Sequence, residues 1–456
     1  MEVILVKDQE ILITIRRLGI NGEGIGFYKK LAVFVDGVFP PEQVVVRITE
    51  VNRGHAKGEA TRIKVKAVNR VKPFCSHFKE CGGCQIQHIS YPQQLALKEE
   101  MLMQTLDRYT DLDLTKTKFN KIIGMNNNTH YRYKAQMPVR NTKTGLTTGL
   151  YKKESNELVE ITDCPVQSES INRVNQKILE ICDNHEIFAF DPQVMRGLLR
   201  YVVVRASNFN DDVQVTLVIT IYNKALKEAA KDIIKIPGVK SVGISKNKDI
   251  QNHEIFGEEV EILEGQNTIV EGIGDIRYAL KPKAFYQLNP NQAIKLYSEV
   301  KSHLDFSTDR VIVDGYAGSG AISFYLAPYV DKVLGIDIAK ESIYSAKHNL
   351  KLNKVDNIIF EEGAVNDVLR DYYNKGFKPD VIIFDPPRSG LDGPTLDLLL
   401  AKKVKKIIYI SCNPSTLAKN IKVLSREYVL EEVTPLDMFP HTSHIESINI
   451  LRAKNS

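Results

Sequence analysis

A single cysteine stands where a reactive group would be expected, in the segment YISCNPST (409–416). The apolar run 407–410 predicts a buried β-strand, and the Asn413-Pro414 dipeptide predicts the turn that ends it. Strands of open α/β sheets deliver side chains to a ligand-binding edge at their carboxyl ends. The pattern therefore predicts that the thiol of Cys412 faces a cleft, where it could serve as a nucleophile.

A glycine-rich turn upstream predicts a nucleoside site at the same edge. The segment RVIVDGYAGSGAISFYLA (310–327) is typical of strand, turn and helix, and Asp337 ends the next strand, 23 residues after Asp314. A carboxylate at that place can bind a pair of ribose hydroxyls. The turn has the order G-x-x-G-x-G instead of G-x-G-x-x-G, which argues against a dinucleotide. It favours a nucleoside without phosphates, such as S-adenosylmethionine.

A second carboxylate follows the fourth strand of this pattern, in DPPRSG (385–390). Two prolines restrict the backbone, so the side chain of Asp385 is expected to have a fixed direction. Its carboxylate could accept hydrogen bonds from a planar base or from the nucleoside. A rigid turn that caps a helix is the alternative interpretation.

A thiol beside a methyl donor suggests one particular reaction. Carbon 5 of uracil is too weak a nucleophile to attack a sulfonium methyl, but addition of a thiolate to carbon 6 produces an enolate that can do so. A base must then remove the hydrogen from carbon 5, and FPHTSHIE (439–446) offers His441, His444 and Glu446. Because a free thiol has a pKa of about 8.5, Arg388 or a histidine is expected to stabilise the thiolate. A small buried cysteine without chemistry is the alternative.

Four further cysteines predict a metal centre. They are spaced C-x5-C-x2-C and then eighty residues apart, at Cys75, Cys81, Cys84 and Cys164. Four thiolates suit either tetrahedral zinc or an iron–sulfur cluster, and the spacing alone favours zinc. Cys182 lies in an apolar helical pattern and is expected in the core.

The secondary-structure patterns that must position these residues divide the chain into three parts, with an α/β fold overall. Residues 1–66 alternate short strands with glycine turns, which predicts a small β-barrel of the oligonucleotide-binding (OB) type. Residues 67–280 mix strands and helices in a central α+β domain that carries the cysteine cluster, and a helix around 91–110 is expected to pack on the catalytic domain. From 281 to 456 strands alternate with helices, which predicts a parallel sheet covered on both faces.

Composition limits the class of protein. The chain has 456 residues, 43% of them hydrophobic, and no run approaches the roughly 18 apolar residues of a membrane span. The start MEVILVKDQE lacks the features of a signal peptide, so a cytoplasmic protein with reduced thiols is expected. The segment from Arg47 to Lys72 contains eight Lys or Arg residues but only two Glu. This basic stripe could bind RNA phosphates or could be a solvated surface.

Five motifs in the last third of the chain together resemble the S-adenosylmethionine-dependent RNA uracil-5-methyltransferases. They are AFYQLNPNQ (284–292), DGYAGSG, DPPRSG, SCNPSTLAKN and HTSHIE, in the order of that family. The resemblance implies a class I (Rossmann-like) methyltransferase domain with Cys412 as the nucleophile and Glu446 as the base that removes the carbon 5 proton. It also implies four residues that contact S-adenosylmethionine, namely Gln287, Tyr316, Asp337 and Asp385.

The first half of the chain resembles the 23S ribosomal RNA branch of the same family. The barrel is similar to the RNA-binding TRAM domain, and the four spaced cysteines match those that hold a [4Fe-4S] cluster in that branch. The resemblance therefore implies such a cluster, with zinc as the alternative from spacing. It also implies a 23S rRNA loop uridine, flipped out of its stack, as the substrate, with no membrane and no obligate protein partner. The alternatives are a transfer RNA uracil-5-methyltransferase and a non-catalytic iron–sulfur protein that binds RNA.

Overall fold

A closed five-stranded barrel forms the N-terminal part of the molecule. The computed structural model describes residues 5–249 and 254–454. The prediction that the chain starts without a signal peptide used residues 1–10, and the first four of these lie outside the described residues. The barrel has the strand order β1-β2-β3-β5-β4. Alternate residues of its first strand, such as Ile11, Ile13 and Ile15, are buried, as expected for a strand with one face toward the core. The predicted small barrel is confirmed, with strands β1 (Glu10–Leu18), β2 (Gly24–Tyr28), β3 (Leu31–Val35), β4 (Gln43–Val51) and β5 (His55–Val65).

A long helix, α1 (Tyr91–Thr110), follows the cysteine-bearing segment and packs on the C-terminal part of the chain. Its residues Met101, Leu102 and Leu106 belong to the same hydrophobic core as Leu417 and Ile421. A short strand, β6 (Lys118–Phe119), then joins the edge of the C-terminal sheet. The first half of the chain is thus attached to the C-terminal half by packed side chains as well as by backbone pairing.

The middle of the chain forms a seven-stranded sheet of order β13-β12-β11-β10-β7-β8-β9, with two helices packed against its core. Cys182 lies on the first of these helices and is completely buried, as predicted. The elements are β7 (Lys134–Thr142), β8 (Gly145–Tyr151), β9 (Leu158–Glu160), α2 (Glu169–Asn184), β10 (Leu199–Ala206), β11 (Val213–Ile219), α3 (Ala225–Ile233), β12 (Val239–Lys246) and β13 (Glu261–Gly265). A hairpin, β14 (Ile269–Ile273) with β15 (Ile276–Leu280), leads into the last part of the chain.

The C-terminal part is built on an eight-stranded sheet of order β18-β17-β16-β19-β20-β22-β21-β6. Consecutive residues of one strand, such as Ile312 and Val313, enter two different hydrophobic cores, so both faces of the sheet are covered, as predicted. Its elements are α4 (Pro290–Ser302), β16 (Val311–Gly315), α5 (Ala321–Leu326), β17 (Lys332–Asp337), α6 (Lys340–Asn353), β18 (Ile358–Glu362), α7 (Val365–Asn374), β19 (Val381–Phe384), α8 (Gly393–Lys402), β20 (Lys406–Ser411), α9 (Pro414–Leu424), β21 (Tyr428–Leu436) and β22 (Glu446–Ala453).

This sheet departs from the sequence prediction in one respect, because it is not parallel throughout. Strands β16 to β20 are parallel, but β22 is antiparallel to both β20 and β21. The loop of residues 437–445 between β21 and β22 is too short to hold a crossover helix, so the chain returns as a hairpin. The antiparallel arrangement places the start of β22 beside the end of β20, where Ser411 pairs with Ser447.

None of the described helices has the length and apolar character needed to cross a membrane.

Candidate active site and four-cysteine cavity

Cys412 occupies the short turn between the end of β20 and the start of α9. Asn413 caps this helix, because its Oδ1 accepts a hydrogen bond of 3.1 Å from the backbone N–H of Ser415. Pro414 opens the helix, where its missing N–H is not needed. The thiol is half-buried at the carboxyl end of a central strand, as the strand pattern predicts.

Burial dominates the electrostatics of this thiol. Burial, together with the smaller effects of the neighbouring carboxylates of Glu446 and Asp385, raises the pKa of Cys412 to about 11, while the guanidinium of Arg388 acts to lower it. The expected help from Arg388 is therefore present, but it is smaller than the opposing effect of burial. The free protein holds Cys412 as a neutral thiol near neutral pH.

Glu446 is the first residue of β22 and lies beside the cysteine because of the antiparallel pairing. Only 8% of Glu446 is exposed, and burial raises the pKa of its carboxyl well above the ordinary value, with a further contribution from Asp385. A carboxylate with a raised pKa is a stronger base than an exposed one. The charges of Cys412, Asp385 and Glu446 act on one another, so the three groups lie close together at one edge of the sheet.

The two histidines that the sequence offered as alternative bases have other partners. His441 is buried, its Nδ1 lies 3.1 Å from Nε2 of Gln94, and burial lowers the pKa of its imidazole to about 4. Nδ1 of His444 lies 2.9 Å from Nη2 of Arg388 and must be the acceptor, because a guanidinium can only donate. The geometry therefore favours Glu446 over either histidine as the base.

Asp385 directly follows β19, the strand that lies between β16 and β20 in the sheet. Its backbone N–H donates to the carbonyl of Gly315 at 3.3 Å, and Nε2 of Gln287 lies 3.5 Å from its Oδ2. Burial raises the pKa of the Asp385 carboxyl to about 6. Asp385 and Gln287 are therefore neighbours at the edge of the sheet, within reach of Cys412.

The glycine-rich turn is held against Asp337 at the end of β17. Gly318 donates its backbone N–H to Oδ2 of Asp337 at 2.8 Å, and Ala339 donates to Oδ1 at 2.7 Å. Tyr316 and Gly320 both adopt left-handed backbone conformations, with φ of 65° and 87°. The turn thus brings the half-buried Tyr316 and the carboxylate of Asp337 to the same edge as Asp385.

Sequence reasoning used Asp314 only as a reference position, but the structure gives it a role in holding the turn. Its buried carboxylate accepts hydrogen bonds from Ser323 through the backbone N–H at 3.0 Å and the hydroxyl at 2.6 Å. Burial raises the pKa of Asp314 to about 7. The other oxygen, Oδ1, has no hydrogen-bond partner among the described residues. The feature of the sequence that could have identified Asp314 is its position directly before the first glycine of DGYAGSG.

The four spaced cysteines line a single cavity of about 230 Å³. Burial, with smaller contributions from the neighbouring cysteines, raises the pKa of Cys84 to about 12, since the negative charges of several thiolates would repel one another. The backbone N–H of Gly83 lies 3.3 Å from Sγ of Cys81, as is common around metal-bound thiolates. Among residues 5–249 and 254–454, no group of three or more His, Cys, Asp or Glu side chains has the arrangement of a metal site. Four thiols are nevertheless the kind of donor set that zinc or an iron–sulfur cluster requires, because a bound cation would offset the repulsion between four thiolates. The cavity is lined by Cys75, Cys81, Cys84 and Cys164.

Aromatic residues that could contact RNA differ in exposure. Phe27 on the barrel is 42% exposed, whereas Phe34 packs edge-on against His55 at 5.4 Å. Tyr131 is only 3% exposed, and its hydroxyl donates to the carbonyl of Pro440 at 2.8 Å. Tyr131 therefore holds the loop before Glu446 instead of facing solvent.

Comparison with protein families gives two matches that together span almost the whole chain. A family described as tRNA (uracil-5-)-methyltransferase matches residues 90–454. The TRAM domain matches residues 7–61.

Individual relatives agree with these matches. The chain is 37% identical to a Bacillus cereus protein described as an RNA methyltransferase, over 96% of each chain. It is 37% identical to another from Listeria monocytogenes serotype 4b, over 98% of each chain. Among solved structures it is similar to the Pyrococcus abyssi tRNA (uracil-54, C5)-methyltransferase in complex with S-adenosyl-L-homocysteine. That likeness has a TM-score of 0.75 and 26% identity, and it covers 96% of this chain and 98% of the other.

Proposed function

This chain belongs to the tRNA (uracil-5-)-methyltransferase family, and from that premise we propose that it converts a uridine of 23S ribosomal RNA to 5-methyluridine. The observation that carries this proposal is the closeness of Cys412, Asp385 and Glu446 at one edge of the sheet, where their charges act on one another. A thiol beside a buried carboxyl base is the pair of groups that activation of a uracil ring requires. The family and the likeness to a structure with bound S-adenosyl-L-homocysteine support S-adenosylmethionine as the methyl donor.

The reaction begins at Cys412. Its thiolate adds to carbon 6 of the uracil, the sulfur–carbon bond forms, and the electrons of the ring double bond move to give an enolate. Arg388 favours the thiolate, since its guanidinium lowers the pKa of the thiol. Asp385 is proposed to lie near both the uracil and the methyl donor and to orient them by hydrogen bonds.

S-adenosylmethionine supplies an electrophilic sulfonium methyl to carbon 5 when it is bound. Four residues around the glycine-rich turn are proposed to hold it. Asp337 is suited to the ribose hydroxyls, because each of its oxygens accepts one backbone N–H and keeps a further lone pair. Tyr316 offers an aromatic face to the nucleoside; the full proposed set is Gln287, Tyr316, Asp337 and Asp385.

Glu446 completes the reaction. Its carboxylate takes the proton from carbon 5, the electrons of that C–H bond restore the ring double bond, and the bond between sulfur and carbon 6 breaks to release the thiolate. The raised pKa of Glu446 suits this step, because a more basic carboxylate removes a carbon-bound proton more readily.

Two features support ribosomal RNA as the substrate class: the TRAM barrel and the four cysteines around one cavity. Transfer RNA is the second candidate substrate, favoured by the likeness to an archaeal protein whose description names a tRNA substrate.

We also propose the division of the chain into three domains, residues 1–66, 67–280 and 281–456. Separate hydrophobic cores in the barrel, the middle sheet and the C-terminal sheet support this division.

Mapping of 5-methyluridine distinguishes the two substrates. We expect a 23S rRNA uridine to lose its methyl group in cells without this gene and to regain it when the gene is restored. Loss of 5-methyluridine from transfer RNA alone would support the second candidate. Unchanged 5-methyluridine in both RNAs would contradict an enzymatic role and favour a non-catalytic protein that binds RNA.

The nucleophile is tested by replacing Cys412 with alanine. Turnover should fall at least roughly 10³-fold, and a substrate RNA containing 5-fluorouridine should no longer form a complex that survives denaturing electrophoresis. Cys182→Ala is the matched control, because Cys182 is buried in the core of the middle sheet, and it should retain the covalent complex. A Cys412→Ala protein that still methylates its RNA would exclude the mechanism.

For the cavity, we propose a [4Fe-4S] cluster held by its four cysteines, with a structural role, since methylation transfers no net electrons. Protein purified without oxygen should contain iron and inorganic sulfide and should absorb broadly in the visible range. Cys84→Ser should lower the iron content, while Cys182→Ser should not, since Cys182 lies outside the cavity. Stoichiometric zinc in a colourless protein would instead support the alternative that the spacing favours.

A further inference from the structure

The loop that ends at the proposed base is held mainly by parts of the chain that precede the C-terminal sheet. We call residues 437–445 the base loop, because Glu446 follows them directly. Lys98 on α1 donates from Nζ to Oδ1 of Asp437 at 2.5 Å and to the carbonyl of Phe439 at 3.2 Å. Tyr131 binds the carbonyl of Pro440, as described above. The position of Glu446 therefore depends on contacts from outside its own sheet.

The cysteine-bearing segment makes the most direct of these contacts. We call residues 75–87 the cysteine loop. The backbone N–H groups of Gln85 and Ile86 both donate to the carbonyl of His441, at 3.1 and 3.0 Å. This carbonyl therefore accepts two hydrogen bonds from the residues that directly follow Cys84.

The side chain of Gln85 joins the two loops a second time. Its Oε1 accepts the backbone N–H of Ser443 in the base loop at 3.3 Å. Its Nε2 donates to the carbonyl of Gly82 in the cysteine loop at 2.8 Å. The barrel closes over this contact, because a Cβ atom at Gly22 would lie 2.6 Å from Cβ of Gln85. All three parts of the molecule meet at this one side chain.

The base loop needs such support because part of its backbone is strained. His441 has a φ of 68°, a left-handed conformation that is unfavourable for a residue with a side chain. Such conformations persist where the surroundings hold them. The hydrogen bonds to the carbonyl of His441 and from the N–H of Ser443 hold the strained residue and the segment that directly follows it.

We propose that Gln85 is a positioning residue that couples the cysteine loop to the general base Glu446. The inference rests on the proposed function, since it assigns to Gln85 the placement of the residue that removes the carbon 5 proton. Loss of the Gln85 side chain releases Ser443 and lets the base loop shift. Proton removal from carbon 5 then slows, whereas addition of Cys412 to carbon 6 does not.

The test uses Gln85→Ala in the full-length protein with unmodified uridine RNA. Because release of Cys412 from carbon 6 requires prior removal of the carbon 5 proton, a methylated covalent protein–RNA complex should accumulate. Turnover should fall roughly 10- to 100-fold, the expected effect of a displacement of about 1 Å at a catalytic group. The affinity for RNA and the rate of complex formation with 5-fluorouridine RNA should remain those of the wild type.

Three further variants complete the design. Glu446→Gln should accumulate the same methylated complex, which identifies the affected step. Gln85→Glu keeps an acceptor for the N–H of Ser443 but places an oxygen against the carbonyl of Gly82, so it should release product faster than Gln85→Ala and more slowly than the wild type. Gln104→Ala changes a partly exposed glutamine of α1 whose side chain binds Glu100 on the same helix, and it should behave as the wild type.

The outcomes separate the inference from the proposed function. If the wild type forms the 5-fluorouridine complex but Gln85→Ala accumulates no more methylated complex than Gln104→Ala, the coupling is wrong. If Gln85→Ala loses complex formation and methylation together, Gln85 supports the fold in general and the coupling is likewise wrong. A wild type that forms no complex at all overturns the proposed function itself.

Discussion

At the scale of single residues, the site combines a thiol and three buried carboxyls whose pKa values are all raised by burial. The pKa of Cys412 rises to about 11 and that of Asp385 to about 6, while Glu446 and Asp314 are raised as well. Near neutral pH this keeps the thiol of Cys412 mainly neutral, whereas Asp385, with a pKa of about 6, is mainly ionised. Raised pKa values in a group of neighbouring residues are typical of catalytic sites.

The raised pKa of Cys412 predicts how the rate of adduct formation depends on pH. The reactive form is the thiolate, and below a pKa of about 11 its fraction rises tenfold with each pH unit. Formation of the covalent complex with 5-fluorouridine RNA should therefore become about tenfold faster for each unit between about pH 7 and 9.

Arg388→Ala should make this reaction slower at every pH in that range, because removal of the guanidinium raises the pKa of the thiol further. Arg426→Ala, which changes an exposed arginine after α9, serves as the control. Stopped time courses on denaturing gels measure both rates. A rate that does not change with pH would show that the thiol is already ionised.

At the scale of elements, the glycine-rich turn decides where the nucleoside can bind. The turn connects β16 to α5, and its last glycine, Gly320, takes up a left-handed conformation directly before the helix. A Cβ atom at that position would lie 2.5 Å from Cζ of Phe360. The turn therefore needs glycine for its backbone conformation and also for its close approach to β18.

Two alanine substitutions separate the effect of the left-handed backbone conformation from the effect of the close approach to Phe360. Gly320 and Gly376 have nearly equal φ values, of 87° and 83°, but a Cβ at Gly376 would meet nothing within 4 Å. Both variants should lose about 1–2 kcal/mol from backbone strain. Gly320→Ala should lose about 1–3 kcal/mol more, because it also displaces Phe360. We expect at least a tenfold weaker affinity for S-adenosylmethionine in Gly320→Ala only, measured by calorimetry with denaturant midpoints alongside. Equal effects of the two variants would exclude the steric explanation.

At the scale of the whole molecule, the chain joins a methyltransferase fold to an N-terminal TRAM barrel that is suited to RNA. The Lys and Arg residues predicted as a stripe lie partly on β5, where Arg62 and Lys64 are exposed. Others are already paired, such as Arg47 with Glu59 at 2.9 Å. Because Arg62 and Lys64 are exposed whereas Arg47 is held in an ion pair, Arg62 and Lys64 are the more available charges for phosphates.

The stripe predicts a specific salt dependence of RNA binding. Arg62→Ala with Lys64→Ala should weaken binding and reduce the slope of log Kd against log salt by about 0.7 for each phosphate that the protein no longer neutralises. Lys231→Ala with Lys235→Ala is the matched control, because both residues are exposed and pair with acidic neighbours near α3. Filter-binding titrations at several salt concentrations measure the slopes. Identical slopes for the two double variants would assign RNA binding to another surface.

Local sequence patterns were sufficient for the parts of the molecule that depend on near neighbours. The alternation of apolar residues and the glycine turns predicted the barrel and the strands that end at Asp337, Asp385 and Cys412. These predictions hold because strand periodicity and turn chemistry act over only a few residues. The family motifs, which are also local, identified the kind of reaction.

The tertiary structure alone decided what depends on residues far apart in the chain. It makes β22 antiparallel to β20, and so it brings Glu446 rather than a histidine beside Cys412. It buries Tyr131 against the base loop, and it joins Gln85 to Ser443, which is 358 residues away in the sequence. Pairing direction, burial and the resulting pKa values arise from packing between distant segments, and the periodicity of a single segment carries no information about them.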